Sequence, residues 1–219
     1  MEQGTQWVKD FELGEPALVC RWRIAGGRLP LENRHLRALG ARTVVGRPVS
    51  TQLLSWAKQH IEWTLTDGSA ANPDGVLMLL MDAEGRAAMS VGPYEPLVDT
   101  SVAALAGRAS SSALERAETG VAPETLWAVR DGVLVWGVAD DACAHGAASL
   151  VLDLASTLGI EVARDAALLD AAASDDLPEQ VFLCSDEHGV VPAAGASDAT
   201  VQRLVAGYQK LLEHERAQR

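Results

Sequence analysis

Residues 18–24 (Leu-Val-Cys-Arg-Trp-Arg-Ile) are a short β-type run, in which Arg21 and Arg23 alternate with Cys20 and Trp22 at the two-residue period of a strand. Ala25-Gly26-Gly27-Arg28 then reads as a turn. Residues 33–39 can start a helix, with Asn33 as its N-cap. Ser50 or Thr51 caps a second helix to about residue 62, with Leu53, Leu54, Ala57 and Ile61 at helical spacing. Residues 75–82 (Gly-Val-Leu-Met-Leu-Leu-Met-Asp) form an unbroken apolar run of strand length, expected to be buried on both faces. Residues 83–86 turn the chain, and 87–91 return as the second arm of a hairpin.

Residues 98–124 change character: Ala, Ser, Gly and Thr dominate, and Ser110-Ser111-Ser112 interrupts them. That composition suggests a linker or shortened loop over 101–124, between a subdomain over 1–100 and another over 125–219. The second half alternates element types. Residues 126–130 and 133–138 form a hairpin about Asp131-Gly132, and 147–158 form an amphipathic helix stopped by Gly159. Residues 160–163 and 180–184 read as strands, 166–173 as a short helix, and 189–192 as an edge segment. Ser197 or Asp198 caps a last helix that gathers Val201, Leu204, Val205, Tyr208, Leu211 and Leu212 on one face. The pattern predicts an α/β (α+β) chain of two subdomains without internal repeats.

Composition narrows the function classes. The 219 residues carry 30 Asp plus Glu against 18 Lys plus Arg, a net charge of −12, which disfavours nucleic acid and anionic membrane surfaces as partners. No apolar run reaches the roughly 18 residues of a spanning helix, and Met1-Glu2-Gln3-Gly4 lacks a signal pattern. Cys20, Cys143 and Cys184 are odd in number and far apart, which suits a reduced, cytoplasmic protein and argues against a disulfide framework or a zinc site. Apolar residues, at 48%, suffice for a core. Lysine occurs only at 9, 58 and 210.

The stretch Gln180-Val-Phe-Leu-Cys-Ser-Asp-Glu-His-Gly-Val-Val-Pro192 resembles the class IV aminotransferases, the fold-type IV enzymes of pyridoxal phosphate (PLP) that include branched-chain and D-amino-acid aminotransferases and aminodeoxychorismate lyase. These write it as Phe-Leu-Thr-(Gly/Ser)-Thr with Val-x-Pro a fixed step later, and the spacing from Phe182 to Pro192 matches. Leu126-Trp-Ala-Val-Arg-Asp-Gly-Val-Leu134 is similar to the family's Leu-Phe-x-Val-x-Asp-Gly-x-Leu hairpin, and Leu158-Gly-Ile160 to its Leu-Gly-Ile step. Val19 to Arg28 and His35-Leu36 are similar to its N-terminal motifs. The resemblance implies the class IV fold, a homodimer and a cleft between the subdomains.

Where the chain departs from the family, the cofactor's anchors are what is lost. A Schiff base with PLP needs an amine, yet no lysine lies between Lys58 and Lys210. Gly120 stands where the family has the Glu that pairs with the pyridine nitrogen, and Ala38 where it has a phosphate-binding Arg; Arg37 is one position off, about 100° around a helix. Cys184-Ser185-Asp186 replaces the Thr pair, and an ionised Asp186 would repel a phosphate. The Gly-Ile-Thr-Arg phosphate turn is replaced near His145-Gly146-Ala147-Ala148. These losses together imply the PLP fold with no cofactor.

Candidate chemistry gathers around the implied cleft. In Cys184-Ser185-Asp186-Glu187-His188, Asp186 and His188 are candidates for proton transfer, and Cys184 and Ser185 for substrate contact. His145, in the former phosphate turn, is a further acid–base candidate. Arg21 and Arg23 share a strand face and are expected to hold an anionic small molecule bidentately. Cys20 reads as a buried thiol, His35 as a packing residue, and the five histidines show no metal-ligand spacing. Three functions fit: a cofactor-independent biosynthetic enzyme carrying out cyclisation, isomerisation or elimination; a non-catalytic binding or partner subunit; and a PLP enzyme whose lysine is unplaced.

Overall fold

The structure, a computed structural model, describes residues 12–173 and 180–218. The N-terminal part comprises β1 (Pro16–Arg23), α1 (Glu32–Gly40), the two-residue strands β2 (Thr43–Val44) and β3 (Arg47–Pro48), α2 (Thr51–Gly68), β4 (Val76–Asp82) and β5 (Ala87–Gly92). Strands β1, β4 and β5 form an antiparallel sheet with β4 in the middle. In register, Cys20 faces Leu79, Arg21 faces Met78 and Trp22 faces Leu77. The alternation in β1 sends Leu18, Cys20 and Trp22 into a core shared with Ile61 and Leu65 of α2. Val19, Arg21 and Arg23 therefore project from the other face.

Helix starts differ in detail from the sequence reading. Ser50 caps α2, its Oγ accepting from Leu53 N at 3.1 Å, but the helix continues to Gly68 because Leu65 extends the buried stripe of Ala57 and Ile61. Asn33 is not a cap. Leu31 holds that position at φ 61° with no side-chain bond, and its carbonyl accepts from Arg34 and His35 N. Leu31 packs against the core of the C-terminal part.

The C-terminal part runs α3 (Val102–Thr119), β6 (Glu124–Arg130), β7 (Val133–Trp136), α4 (Gly146–Leu158), β8 (Val162–Arg164), α5 (Leu168–Ala173), β9 (Val181–Ser185), β10 (Gly189–Pro192) and α6 (Ala199–Ala217). The loop expected over 101–124 is instead largely α3, an 18-residue helix. Apart from Leu105, its buried stripe is made of small or polar residues, Ala106, Ala109, Ser112 and Thr119, so composition conceals a helical period. The serines are absorbed rather than breaking the helix. Ser111 Oγ donates to Gly107 O at 3.1 Å, and Ser112 Oγ accepts from Glu124 N at 2.9 Å.

The second sheet has the order β10-β9-β6-β7-β8, and only β7 and β8 are parallel. One face packs Trp127, Trp136 and Phe182 against α4 and α6. The other packs Leu126, Ala128 and Leu183 against α3 and α5. Trp127 and Trp136 are cross-strand partners with ring centroids 5.0 Å apart, and Trp127 Nε1 donates to Thr125 Oγ1 at 2.8 Å. From Gly92 the chain reaches α3 without forming another strand.

Leu105 is fully buried against β6 and β9. Leu105→Ala is expected to lower unfolding free energy by about 2–5 kcal/mol in urea titration. A loop residue at that position would cost within about 0.5 kcal/mol.

Candidate active site

Gly189 shapes the turn after β9. It sits at φ +72°, and a Cβ there would run into the Tyr208 ring. The preceding Ser185, Asp186 and Glu187 are thereby held against β1, where Arg23 N donates to Asp186 O at 3.2 Å. Between this turn, β1 and α3 lies a cleft of about 380 Å³, whose wall includes Arg21, Arg108, Glu115, Glu124, Asp186 and Glu187.

Every charge in that wall has a protein partner. Arg21 grips Glu187 with both fork donors, Nε to Oε2 at 2.5 Å and Nη2 to Oε1 at 2.7 Å. Arg108 Nη2 donates to Glu124 Oε1 at 2.7 Å, and the buried Arg42 reaches Glu115 Oε1 at 2.6 Å. Ser185 Oγ donates to Glu124 at 2.8 Å and accepts from Glu187 N and His188 N at 3.2 and 3.0 Å, so it shapes the turn. Asp186 is served by a helix: its Oδ1 accepts from Ala147 N, in the first turn of α4, at 2.7 Å. Its Oδ2 lies 3.7 Å from Nδ1 of the buried His35, which stacks on Trp22.

The histidines and cysteines fall in different places. His188 Nε2 is 3.9 Å from Glu187 Oε2, and its ring leans on Tyr94. Burial holds His188 below its ordinary 6.5, against the pull of Glu187's charge. Burial alone would raise Glu187, but its hydrogen bonds to Arg21, then the charges of His188 and Arg21, bring it below 4.5. His145 stands at the N-cap of α4 and is lowered by burial and by Arg42, with Asp186 opposing. Burial pushes the Cys20 thiol up to about 11 and that of Cys184 well above its ordinary value.

Of the residues singled out in the sequence, Arg21, Ser185 and Asp186 line the cleft together. Arg23 does share the face of Arg21, but its guanidinium lies over the Tyr94 ring, 3.4 Å from the centroid, and does not line the cleft. Cys184 points into the core beside Trp127 and Phe182 and cannot contact a substrate. The Asp186 and His188 side chains face different partners: Asp186 turns to α4 and His35, while His188 turns to Glu187. His145 also lies outside the cleft wall. Glu187 belongs to the 184–188 segment that the sequence marks for proton transfer, whereas Arg108, Glu115 and Glu124 are not legible there because 101–124 reads as a loop. On a helix, Arg108, Ser112 and Glu115 recur at i, i+4 and i+7, which was the available signal.

No protein-family model matches the chain, and neither does any curated protein. Solved structures do. A Legionella pneumophila protein designated a candidate 4-amino-4-deoxychorismate lyase superposes with TM-score 0.61 at 11% identity, over 93% of this chain and 97% of that one. The 4-amino-4-deoxychorismate lyase of Pseudomonas aeruginosa gives 0.54 at 19% identity, covering 88% and 90%. The branched-chain amino acid aminotransferase of Escherichia coli gives 0.53 at 14% identity, covering 94% and 91%. The fold is that of the class IV aminotransferases. Of the described lysines, Lys58 is on α2, facing a separate groove with Glu62, and Lys210 is on α6; neither lines the cleft. Lys9 lies outside the described residues. Among the described residues no helix is long and apolar enough to cross a membrane, and no group of three or more His, Cys, Asp or Glu could hold a metal.

The lowered histidines predict acid sensitivity. The unfolded chain takes up protons on His145 and His188 as pH falls below 6.5, while the folded chain does not, so stability is lost through that window. Below 4.5 the Arg21–Glu187 pair adds a second loss as Glu187 protonates. Urea midpoints should fall from about pH 7 to about pH 5, and the double substitution His145→Asn, His188→Asn should flatten that segment. An unchanged slope would show that burial does not hold these rings neutral.

Proposed function

We propose that this chain is a PLP-independent enzyme that moves protons on a small anionic molecule in the cleft between its two sheets. The observation that carries this reading is the lining itself: among the described residues it holds no lysine, and its Asp186 carboxylate occupies the start of α4. Residues so arranged do not fit PLP. An acid–base cyclisation, isomerisation or elimination needs none of its electron-sink chemistry.

The cleft wall has two arginines against four carboxylates, so an anionic ligand finds no idle cation there. It must exchange with Glu187 on Arg21. That exchange has a chemical consequence. Arg21 keeps Glu187 deprotonated, and burial opposes it; once Arg21 turns to the substrate carboxylate, Glu187 gains proton affinity. Glu187 then serves as the general base, and His188, 3.9 Å away, can relay the proton. Asp186 acts as a positioning residue.

A second reading has its own support. Arg21–Glu187, Arg108–Glu124 and Arg42–Glu115 are already complete, as in a cleft kept for structure by a non-catalytic partner subunit. Small carboxylates titrated against Arg21→Ala separate the two. The enzyme reading requires wild-type binding that the variant loses.

Incubation with PLP, borohydride reduction and peptide mass spectrometry test the cofactor. No pyridoxyl adduct is expected on Lys9, Lys58 or Lys210, and the protein should lack an aldimine absorption band. A stoichiometric adduct on any of them would restore the PLP-enzyme reading. We also propose a homodimer, supported by the dimeric habit of this fold and by the exposed Trp63, Val98 and Leu114. Light scattering should give twice the 23.2 kDa of one chain. A mass of one chain at micromolar concentration contradicts this.

A further inference from the structure

We propose that Asp186 is a built-in anion: its carboxylate takes the seat at the start of α4 that the class IV resemblance gives to a cofactor phosphate, and so closes that seat to phosphate esters. This deepens the exclusion of PLP proposed above and rests on it in that respect. It does not depend on the cleft being catalytic.

The seat is built around the carboxylate. Helix α4 has 13 residues, and its N-cap residue, His145, makes no side-chain cap bond. The N-terminal amides of a helix are unsatisfied donors and carry partial positive charge. Ala147 N is satisfied by Asp186 Oδ1, 39 positions away in the chain. Gly146 sits at φ +48°, and a Cβ there would strike Oδ1 and crowd both the carboxyl carbon and Oδ2. Only glycine lets the helix start close over this side chain.

Asp186 is also fixed from behind. Its N donates to Pro123 O at 3.0 Å, and its carbonyl accepts from Arg23 N. The residue is only 6% exposed, its carboxylate enclosed between the start of α4 and His35. A phosphate at Ala147 N would need the same space and would set its charge against the carboxylate already seated there. An oxyanion at a helix N-terminus is stabilising whether it comes from a ligand or from the chain, and here the chain supplies it.

Thermal unfolding in inorganic phosphate, against sodium chloride of equal ionic strength, tests this on the full chain. Wild type should gain from phosphate no more than the small general salt effect that Asp186→Asn also shows. Asp186→Ala empties the seat; in chloride it should melt about 4–12 °C lower, and phosphate should restore a large part of that loss. Asp186→Asn keeps an oxygen acceptor and the bulk but drops the charge, so it should melt lower than wild type and gain only that salt effect from phosphate. If Asp186→Ala does not fold in chloride, its refolding yield in phosphate is read instead, with Asp186→Asn as the soluble comparison. Phosphate stabilising wild type as much as Asp186→Ala would overturn the proposal, because the seat would then be open. A destabilised Asp186→Ala that gains no more than that salt effect from phosphate, in melting or in refolding, would also overturn it, because the space would not be an anion seat. A lysine adduct with PLP in wild type would instead sink the cofactor-independent reading, so the two failures are separable.

Discussion

The Asp186 carboxylate at the start of α4 is a contact at which both sheets and the cleft meet. Through its backbone, the residue ties the end of β9 to β1 at Arg23 and to Pro123 before β6. Through its side chain it closes the start of α4 and faces His35 of α1. Four segments distant in sequence thus meet at one residue, and a charge that would be costly to bury is compensated by a helix terminus. Gly146 and Gly189 are consequences of this arrangement. One admits the carboxylate, and the other lets the turn behind it pass Tyr208.

The state of the cleft follows from the same placement. With Asp186 committed to α4, Ser185 orders the turn amides, and Glu187 falls opposite Arg21. Charge complementarity is therefore internal, and on the proposed reading an anionic ligand enters by exchange rather than by filling a gap. On the proposed reading, that exchange couples binding to base formation, because the guanidinium that holds Glu187 deprotonated is the one the substrate takes. Tyr94, on the connector from β5, is held between Arg23 and His188, so the covalent link between the sheets is clasped beside the same turn.

Much of this could be read from sequence where one physical signal dominates. The two-residue alternation in β1 puts Arg21 and Arg23 on one face, and the unbroken apolar run of β4 reads as a buried strand. The order of motifs from Phe182 to Pro192 pointed to the class IV fold. The α3 helix is hard to read because, Leu105 apart, its core stripe is Ala, Ser and Thr, which carry little hydrophobic contrast. With it went Arg108 and Glu115, and so most of the cleft's charge pairing. The direction of the Arg23 side chain was also beyond periodicity. A strand pattern fixes a face, but the Tyr94 ring, brought in by a connector, decided where on that face the guanidinium lies. The partner of Asp186 was hidden for a similar reason, since nothing local links residue 186 to residue 147.

The most direct measurement is a crystal structure of the protein grown at saturating PLP and inorganic phosphate. If Asp186 owns the seat, density will show its Oδ1 on Ala147 N, Gly146 closed over it, and no phosphate at that helix terminus. A phosphate or phosphate ester on Ala147 N with the Asp186 side chain displaced would contradict the claim.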